Sequence, residues 1–394
     1  MSTTADVVVI GGGANGTSTA YQLAKMGVKR VILVERKQLA AGATGKSGAL
    51  VRMHYTNVPE SQLAFESLKI FREFDDVVGG DSGFDGLGFV QVVPHGVEER
   101  LARNVAAQQA LGIETRLISP EELKELQPDC YVDDIGAAAF EPHTGFADPN
   151  ATAYAFAEAA RKLGAQIWTN CAATRIVTEN DRVVAVETER GRIDTPAVVL
   201  APGAWATPLL APLGLDFNLK PHRAQVTIFR WPAGFTRRHF VFIDAIHRSW
   251  FRPEGRNGTL IGVESAVHGD NPDAIDEGVD DDYVKRCKEK LAARFPAFEE
   301  ATMRGGWAGV YMMSPDSRPI IDQMPSVPGL FVMLGDSGTS FKTAPAIGKC
   351  LAEWIVNGEP QTVDLTPFRS TRFAEGKPWT DEDSYGADRM TVSR

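Results

Sequence analysis

Two groups of residues carry types and spacing that could do chemistry. The first opens the chain: Gly11, Gly13 and Gly16 directly follow the β-branched run Val7 to Ile10, and Glu35 follows the next apolar run, Val31 to Val34. A strand that breaks into a G-x-G-x-x-G turn and then a helix makes a seat for a pyrophosphate. The first glycine bends the chain, the second lets the phosphates approach the backbone, and the third lets helix pack on strand. The free N–H groups and positive dipole end of the helix then face the phosphates. Glu35 is positioned to accept hydrogen bonds from both ribose hydroxyls of an adenosine and to repel a 2′-phosphate.

The second group lies near the other end. Gly335, Ser337 and Gly338 form a flexible loop before an amphipathic helix that starts near Thr343, with Pro345 in its first turn and Asn357 and Gly358 at its stop. Thr343 is expected to cap it and to leave its positive end free. A flavin that accepts a hydride at N5 gains negative charge around N1 and the C2 carbonyl, where such a helix start stabilises it; nicotinamide needs no such support. FAD is therefore expected rather than NAD.

Elements must hold these groups in place. Ala14 to Met26 read as a helix closed by Gly27, and about Pro59 to Val78 as a long helix before a glycine-rich patch, Gly79 to Gly88. Strand patterns follow at Phe89 to Val93, Gly164 to Thr169 and Arg182 to Glu189, with Asp181 near a turn. Val198 to Ala206 is a buried strand running into Pro202, Gly203 and Trp205, where small residues imply that something packs on the backbone. Gln225 to Phe229, Phe240 to Ile243, Ser249 to Arg252 and Thr259 to Gly262 form a β-rich block, and Asp280 to Phe295 a helix. The fold class is α/β, α+β overall: a Rossmann-type cofactor domain (1–84, 147–220, 305–394) interleaved with an antiparallel-sheet substrate domain (85–146, 221–304).

Composition narrows the class. The chain has 394 residues, 43% hydrophobic and 23% charged, as in an ordinary globular enzyme, and that length can fill two cores. A formal charge of −10 speaks against nucleic acid or an anionic membrane as partner. The start lacks a basic n-region and no stretch is apolar for long enough to span a bilayer, so a cytoplasmic location is expected. Cys130, Cys171, Cys287 and Cys350 are far apart without a C-x-x-C pair, which reads as buried free thiols and no metal site.

The segments VVVIGGGANG with Glu35, ATGKSGALVRMHY, VVLAPGAWA, SPDSRPIID and LGDSGTSFKTAPAIG resemble the FAD-dependent amine and amino-acid oxidoreductases that include glycine oxidase, D-amino-acid oxidase and sarcosine oxidase. The similarity runs over nearly the whole chain. The sarcosine-oxidase branch fits best, because it has an arginine before an M-H-Y-like run and a lysine after the glycine loop, matched by Arg52 and Lys342. In that branch the two cations hold the carboxylate of a small amino acid over the flavin. A carboxylate desolvated beside the ring needs positive partners, so the chemistry agrees. The resemblance further implies Tyr311 and Trp250 in the substrate pocket. His54, close to Arg52, is a candidate acceptor for the proton of the substrate ammonium.

For the cofactor the resemblance implies Ala14, Asn15 and Arg36 beside the first turn, Thr44, Ser47 and Gly48 in the next segment, and Ala173, Ala201, Gly203 and Trp205 at the strand ends. It adds Thr339, Ser340, Phe341 and Lys342 to the late loop. Where the branch tethers FAD through a cysteine this chain has Gly309, so a non-covalent flavin is expected. Its oxygen-activating lysine would fall near Ile261 or Gly262 and a nearby histidine near Ser265, and neither is present. Glycine oxidase binds its carboxylate through an arginine that would align near Tyr311.

The expected activity is oxidation of the C–N bond of a small, N-substituted, sarcosine-like amino acid to an imine, with O2 or an electron carrier as acceptor. One alternative is a D-amino-acid or cyclic imino-acid dehydrogenase feeding a carrier or quinone. The other is a non-catalytic flavin-binding chain that pairs with a partner subunit.

Overall fold

The structure is a computed structural model that describes residues 3–265, 269, 271–381 and 383–385. A six-stranded sheet runs Ile320–Gln323, Leu330–Leu334, Val198–Leu200, Val7–Ile10, Val31–Val34, Gln166–Trp168, parallel except for its first strand. Both faces are covered, which is why Val7–Ile10 and Val31–Val34 are continuous apolar runs buried at every position. The helices Ala14–Lys25, Pro149–Lys162 and Ala344–Asn357 pack on one face, with Phe156, Ile347 and Leu351 wholly buried between them.

The second layer is an eight-stranded sheet in the order Thr302–Met313, Lys220–Arg230, Gly258–Val263, Ser249–Glu254, Val241–Asp244, Phe89–Val93, Ala137–Glu141, Arg116–Ile118. Its strands are antiparallel neighbours except Val241–Asp244 beside Phe89–Val93. The helix Asp281–Arg294 lies against it, and Phe242, Phe251, Phe295 and Phe298 fill the space between in tilted and edge-to-face contacts. The fold class expected from the sequence holds. The strand Thr302–Met313 pairs along its length with Lys220–Arg230. On that pairing we place the return to the cofactor domain after Met313 rather than at residue 305.

Two helices differ from expectation. The first long one is Val58–Arg72, capped by Asn57, whose side chain accepts from Glu60 N at 2.9 Å. It breaks at Glu73, and a single turn, Phe74–Val77, follows. The break turns Phe74 edge-on to Phe156, with ring centroids 5.1 Å apart, a burial that a straight helix pattern does not reveal. The last helix spans Ala344–Asn357 and ends at Gly358 in the left-handed region, but Thr343 does not cap it. Its hydroxyl donates to Ser340 O at 3.2 Å, and Ala346 N donates to Ser67 Oγ at 3.0 Å. The helix start is thus partly satisfied from the neighbouring helix instead of lying free. All four cysteines are buried and unpaired. No helix among the described residues is long and apolar enough to cross a membrane.

Candidate active site

The first turn is built by close backbone packing. A side chain at Gly16 would begin 1.9 Å from Gly11 O, and one at Gly11, whose φ is +111°, would begin 2.2 Å from Ala201 O. Only glycine lets the helix sit on the strand at the one position and the strand end at 201 approach at the other. Gly16 therefore packs and does not line the cleft. Ala14 N donates to Thr44 Oγ1 at 3.1 Å, which ties the following segment to the helix start. Glu35 is held by Gly12 N on Oε2 and Lys37 N on Oε1, both at 2.7 Å, and each oxygen keeps a lone pair for a ribose hydroxyl.

Gly11 to Asn15, Glu35, Lys37 and Thr44 line a cleft of about 510 Å³ together with Ala173, Ala201, Gly203, Trp205 and Gly335. Its outer end is closed by a small cluster: the Arg36 guanidinium lies 4.4 Å from the Trp205 ring centroid and pairs with Asp273, which also accepts from Trp205 Nε1 at 3.0 Å.

The cleft runs into a second cavity of about 170 Å³. Ala14, Asn15, Thr44, Lys46, Gly309, Val310 and Asp336 line both, so the two form one continuous groove. Ser47, Gly48, Arg52, Trp250, Tyr311, Gly338, Thr339, Ser340, Phe341 and Lys342 line the second part. Among the described residues Asn15 Oδ1 and Ser340 Oγ are buried along this groove without a hydrogen-bond partner. A groove of this length, with a glycine turn, a ribose-binding acid and unpartnered polar atoms along its walls, fits a dinucleotide carrying a planar head group.

Arg52 and Lys342 come together although they are far apart in sequence. Arg52 is 1% exposed and Lys342 6%. The Arg52 guanidinium lies 4.6 Å from the centroid of Tyr55 and the Lys342 ammonium 5.0 Å from the same ring. Thr339 O accepts from both Lys342 Nζ at 3.0 Å and Tyr55 OH at 3.1 Å, which joins the late loop to the early segment. Burial, with the Arg52 charge beside it, pushes the Lys342 ammonium well below its ordinary range. A guanidinium stays charged under the same burial.

Trp250 is wedged between two glycines: a side chain at Gly48 would begin 2.2 Å from its ring and one at Gly262 2.5 Å. No lysine can stand at 262 while the indole lies there, and Ile261 is buried in the aromatic core. A side chain at Gly309 would begin 2.9 Å from Lys46 Cβ. Tyr311 lies over Gly338 and packs on His222, its cross-strand partner, with ring centroids 5.0 Å apart.

Besides Gly16, two expected site residues lie elsewhere. His54 is wholly buried outside the cavity, between Gln108 Oε1 at 3.1 Å and Tyr385 OH at 2.7 Å. Burial, and then the Arg52 charge, drive its imidazole down to about 3, so it is no proton acceptor for a substrate. Ser337 is also buried, donating to Gly335 O at 2.9 Å, and shapes the loop from within. Sequence reasoning missed His222, Lys46 and Asp336. The first is brought in by register across the sheet, which no local pattern signals; the other two sit inside the quoted motifs, at positions whose orientation only the fold decides.

A family model described as FAD dependent oxidoreductase matches residues 6–354. Over 393 residues the chain is 30% identical to mitochondrial sarcosine dehydrogenase of Mus musculus, covering 95% of this chain and 42% of that protein. It is 28% identical to sarcosine oxidase subunit beta of an Arthrobacter species, covering 94% of this chain and 91% of that one. Among solved structures, L-proline dehydrogenase from P. horikoshii superposes with a TM-score of 0.88 at 26% identity, over 96% of this chain and all of the other. The chain thus spans less than half the length of the mitochondrial dehydrogenase.

Proposed function

Because the chain belongs to the FAD-dependent oxidoreductase family, we propose that it oxidises the C–N bond of a small amino acid, N-substituted as in sarcosine, to an imine that water then hydrolyses. One observation carries the reading: two buried cations, Arg52 and Lys342, share the Tyr55 ring at a small cavity continuous with the dinucleotide cleft. Bound FAD would supply the hydride acceptor, N5 of its ring.

The chain's own residues divide the remaining work. Arg52 and Lys342 bind the substrate carboxylate, and desolvation makes each charge-assisted hydrogen bond strong. Trp250 and Tyr311 wall the cavity, exclude water and limit the side chain that fits. The substrate amine must be neutral before hydride leaves. His222, at a ring nitrogen, is the histidine among the described residues that lines this cavity and can accept the ammonium proton. The cofactor is held by Gly11 to Asn15, Glu35 and Thr44.

The test is anaerobic mixing of the FAD-loaded protein with sarcosine, dimethylglycine, D-alanine and L-proline, read as loss of the flavin absorbance. Rapid bleaching by an N-methyl amino acid supports the reading, and an unchanged spectrum with all four overturns it. A second reading, a cyclic imino-acid dehydrogenase, is favoured by the close superposition on L-proline dehydrogenase. Bleaching fastest with proline, followed by slow reoxidation in air, would select it. The Arthrobacter relative is a subunit by name, so a partner chain is also proposed, to be read from native mass in the source cell.

A further inference from the structure

Behind the two cations lies a buried carboxyl that the mechanism above does not use. Glu141 ends the strand Ala137–Glu141 and is wholly buried. Its Oε2 accepts from the backbone N–H of Met53, next to Arg52, at 3.0 Å. Its Oε1 has no hydrogen-bond partner among the described residues. The side chain lies in the field of both Arg52 and Lys342. Glu60, the other buried acid near them, is already paired with Arg318 at 3.1 Å.

This arrangement poses a charge-balance problem with two solutions. With no ligand, Glu141 is a buried counter-charge facing these cations that no salt bridge among the described residues engages. When a ligand carboxylate enters, a second negative charge joins the same low-dielectric region, and repulsion between the two acids disfavours both being ionised. Resting on the amino-acid reading above, we propose that Glu141 is the proton-exchanging counter-charge of the Arg52–Lys342 pair: ionised in the ligand-free protein, and taking up one proton from solvent when a carboxylate binds.

Burial lifts the Glu141 carboxyl to about 7, opposed by the Met53 backbone N–H and the Arg52 charge, so both forms are accessible near neutrality. Among the described residues the other charged or titratable groups facing the pair are Glu60, which acts on both cations, and Tyr55, Tyr385 and the His54 ring, which face Arg52. Lys342, itself pushed down by burial, is the competing site for the proton.

The experiment is calorimetric titration of the FAD-loaded protein with acetate, a carboxylate that cannot be oxidised here, at about pH 8 in two buffers of different ionisation enthalpy, which counts the protons exchanged. Wild type is expected to take up close to one proton per acetate, with affinity falling by up to about tenfold per pH unit above 7. Glu141→Gln should abolish the uptake and flatten that pH dependence, while Lys342→Arg, which keeps a permanent charge, should retain the uptake. Acetate binding to wild type without uptake, or uptake kept by Glu141→Gln and lost by Lys342→Arg, overturns the proposal. Acetate that does not bind wild type at all removes the amino-acid reading itself, a result separate from either.

Discussion

Arg52 and Lys342 approach the ring of Tyr55 to 4.6 and 5.0 Å. The aromatic face offers each cation a partial negative surface without neutralising it, which partly offsets the burial that pulls the Lys342 ammonium below its ordinary range. Their separation in the sequence means that the site exists only when the early segment and the late loop are docked, and Thr339 O, bonded from both sides, is the joint.

Replacing Lys342 by Met removes one of two charge-assisted bonds to the substrate carboxylate. The loss should be about 2 kcal/mol, a KM or acetate Kd raised roughly thirtyfold, with flavin still bound. Steady-state kinetics beside the flavin spectrum check this; an unchanged KM would remove Lys342 from the site.

Glu35→Ala should loosen FAD by more than the ribose contacts alone. The carboxylate also holds Gly12 N and Lys37 N, and so shapes the turn that faces the phosphates. A weakening of one to two orders of magnitude is expected, about 1.4 to 3 kcal/mol. Ultrafiltration of the loaded variant measures it, and full retention would contradict the assignment.

At the outer end of the cleft, Asp273→Ala breaks the link to Arg36 and Trp205. Both charged partners are partly exposed, so the contribution is at most about 1 kcal/mol and FAD dissociation should quicken no more than about fivefold. The effect should shrink as salt is raised. A salt-independent change would assign it to packing.

Gly16→Ala tests the packing of the first turn. The added methyl would begin 1.9 Å from Gly11 O, a backbone atom that cannot swing aside. Loss of about 3 kcal/mol and a clear fall in Tm are expected even without flavin. A variant as stable as wild type would mean that the helix can shift along the strand.

His239 makes acid sensitivity specific. It is wholly buried, its Nδ1 bonded to Phe240 O and its Nε2 to the Thr259 hydroxyl, both at 2.7 Å. Nδ1 faces a carbonyl and so carries the proton; burial keeps the ring neutral, which leaves Nε2 to accept from the Thr259 hydroxyl. Burial lowers its pKa from 6.5 to about 4. The unfolded chain thus binds the proton first, and this contribution to stability is complete above pH 6.5 and is lost as the pH falls toward 4. Glu141, raised to about 7, acts in the opposite direction, so the test is a difference. The stability of wild type minus that of His239→Gln should fall by about 3 kcal/mol between pH 6.5 and 4 in denaturant titrations. A constant gap would show that the ring is charged in the folded state.

The residues whose function is local were legible in the chain. The turn at Gly11 to Gly16, the strands on either side of it and the acid at 35 lie within one continuous segment, and each obeys a short-range rule of sterics or hydrogen bonding. Arg52 and Lys342 were found through motif resemblance, not through any pattern that placed them side by side. Which of the neighbouring polar residues face the cavity was settled by tertiary packing. His54 is turned away onto Gln108 and Tyr385, whereas His222 is turned inward by pairing with the strand of Tyr311. The helix at Ala344 was foreseen with a free positive end, yet Ser67, from a helix hundreds of residues earlier, takes one of its N–H groups. Periodicity and turn chemistry act over a few residues, so they determine elements. The side-chain environment of a buried charge depends on segments distant along the chain, so docking alone decided which groups are desolvated together.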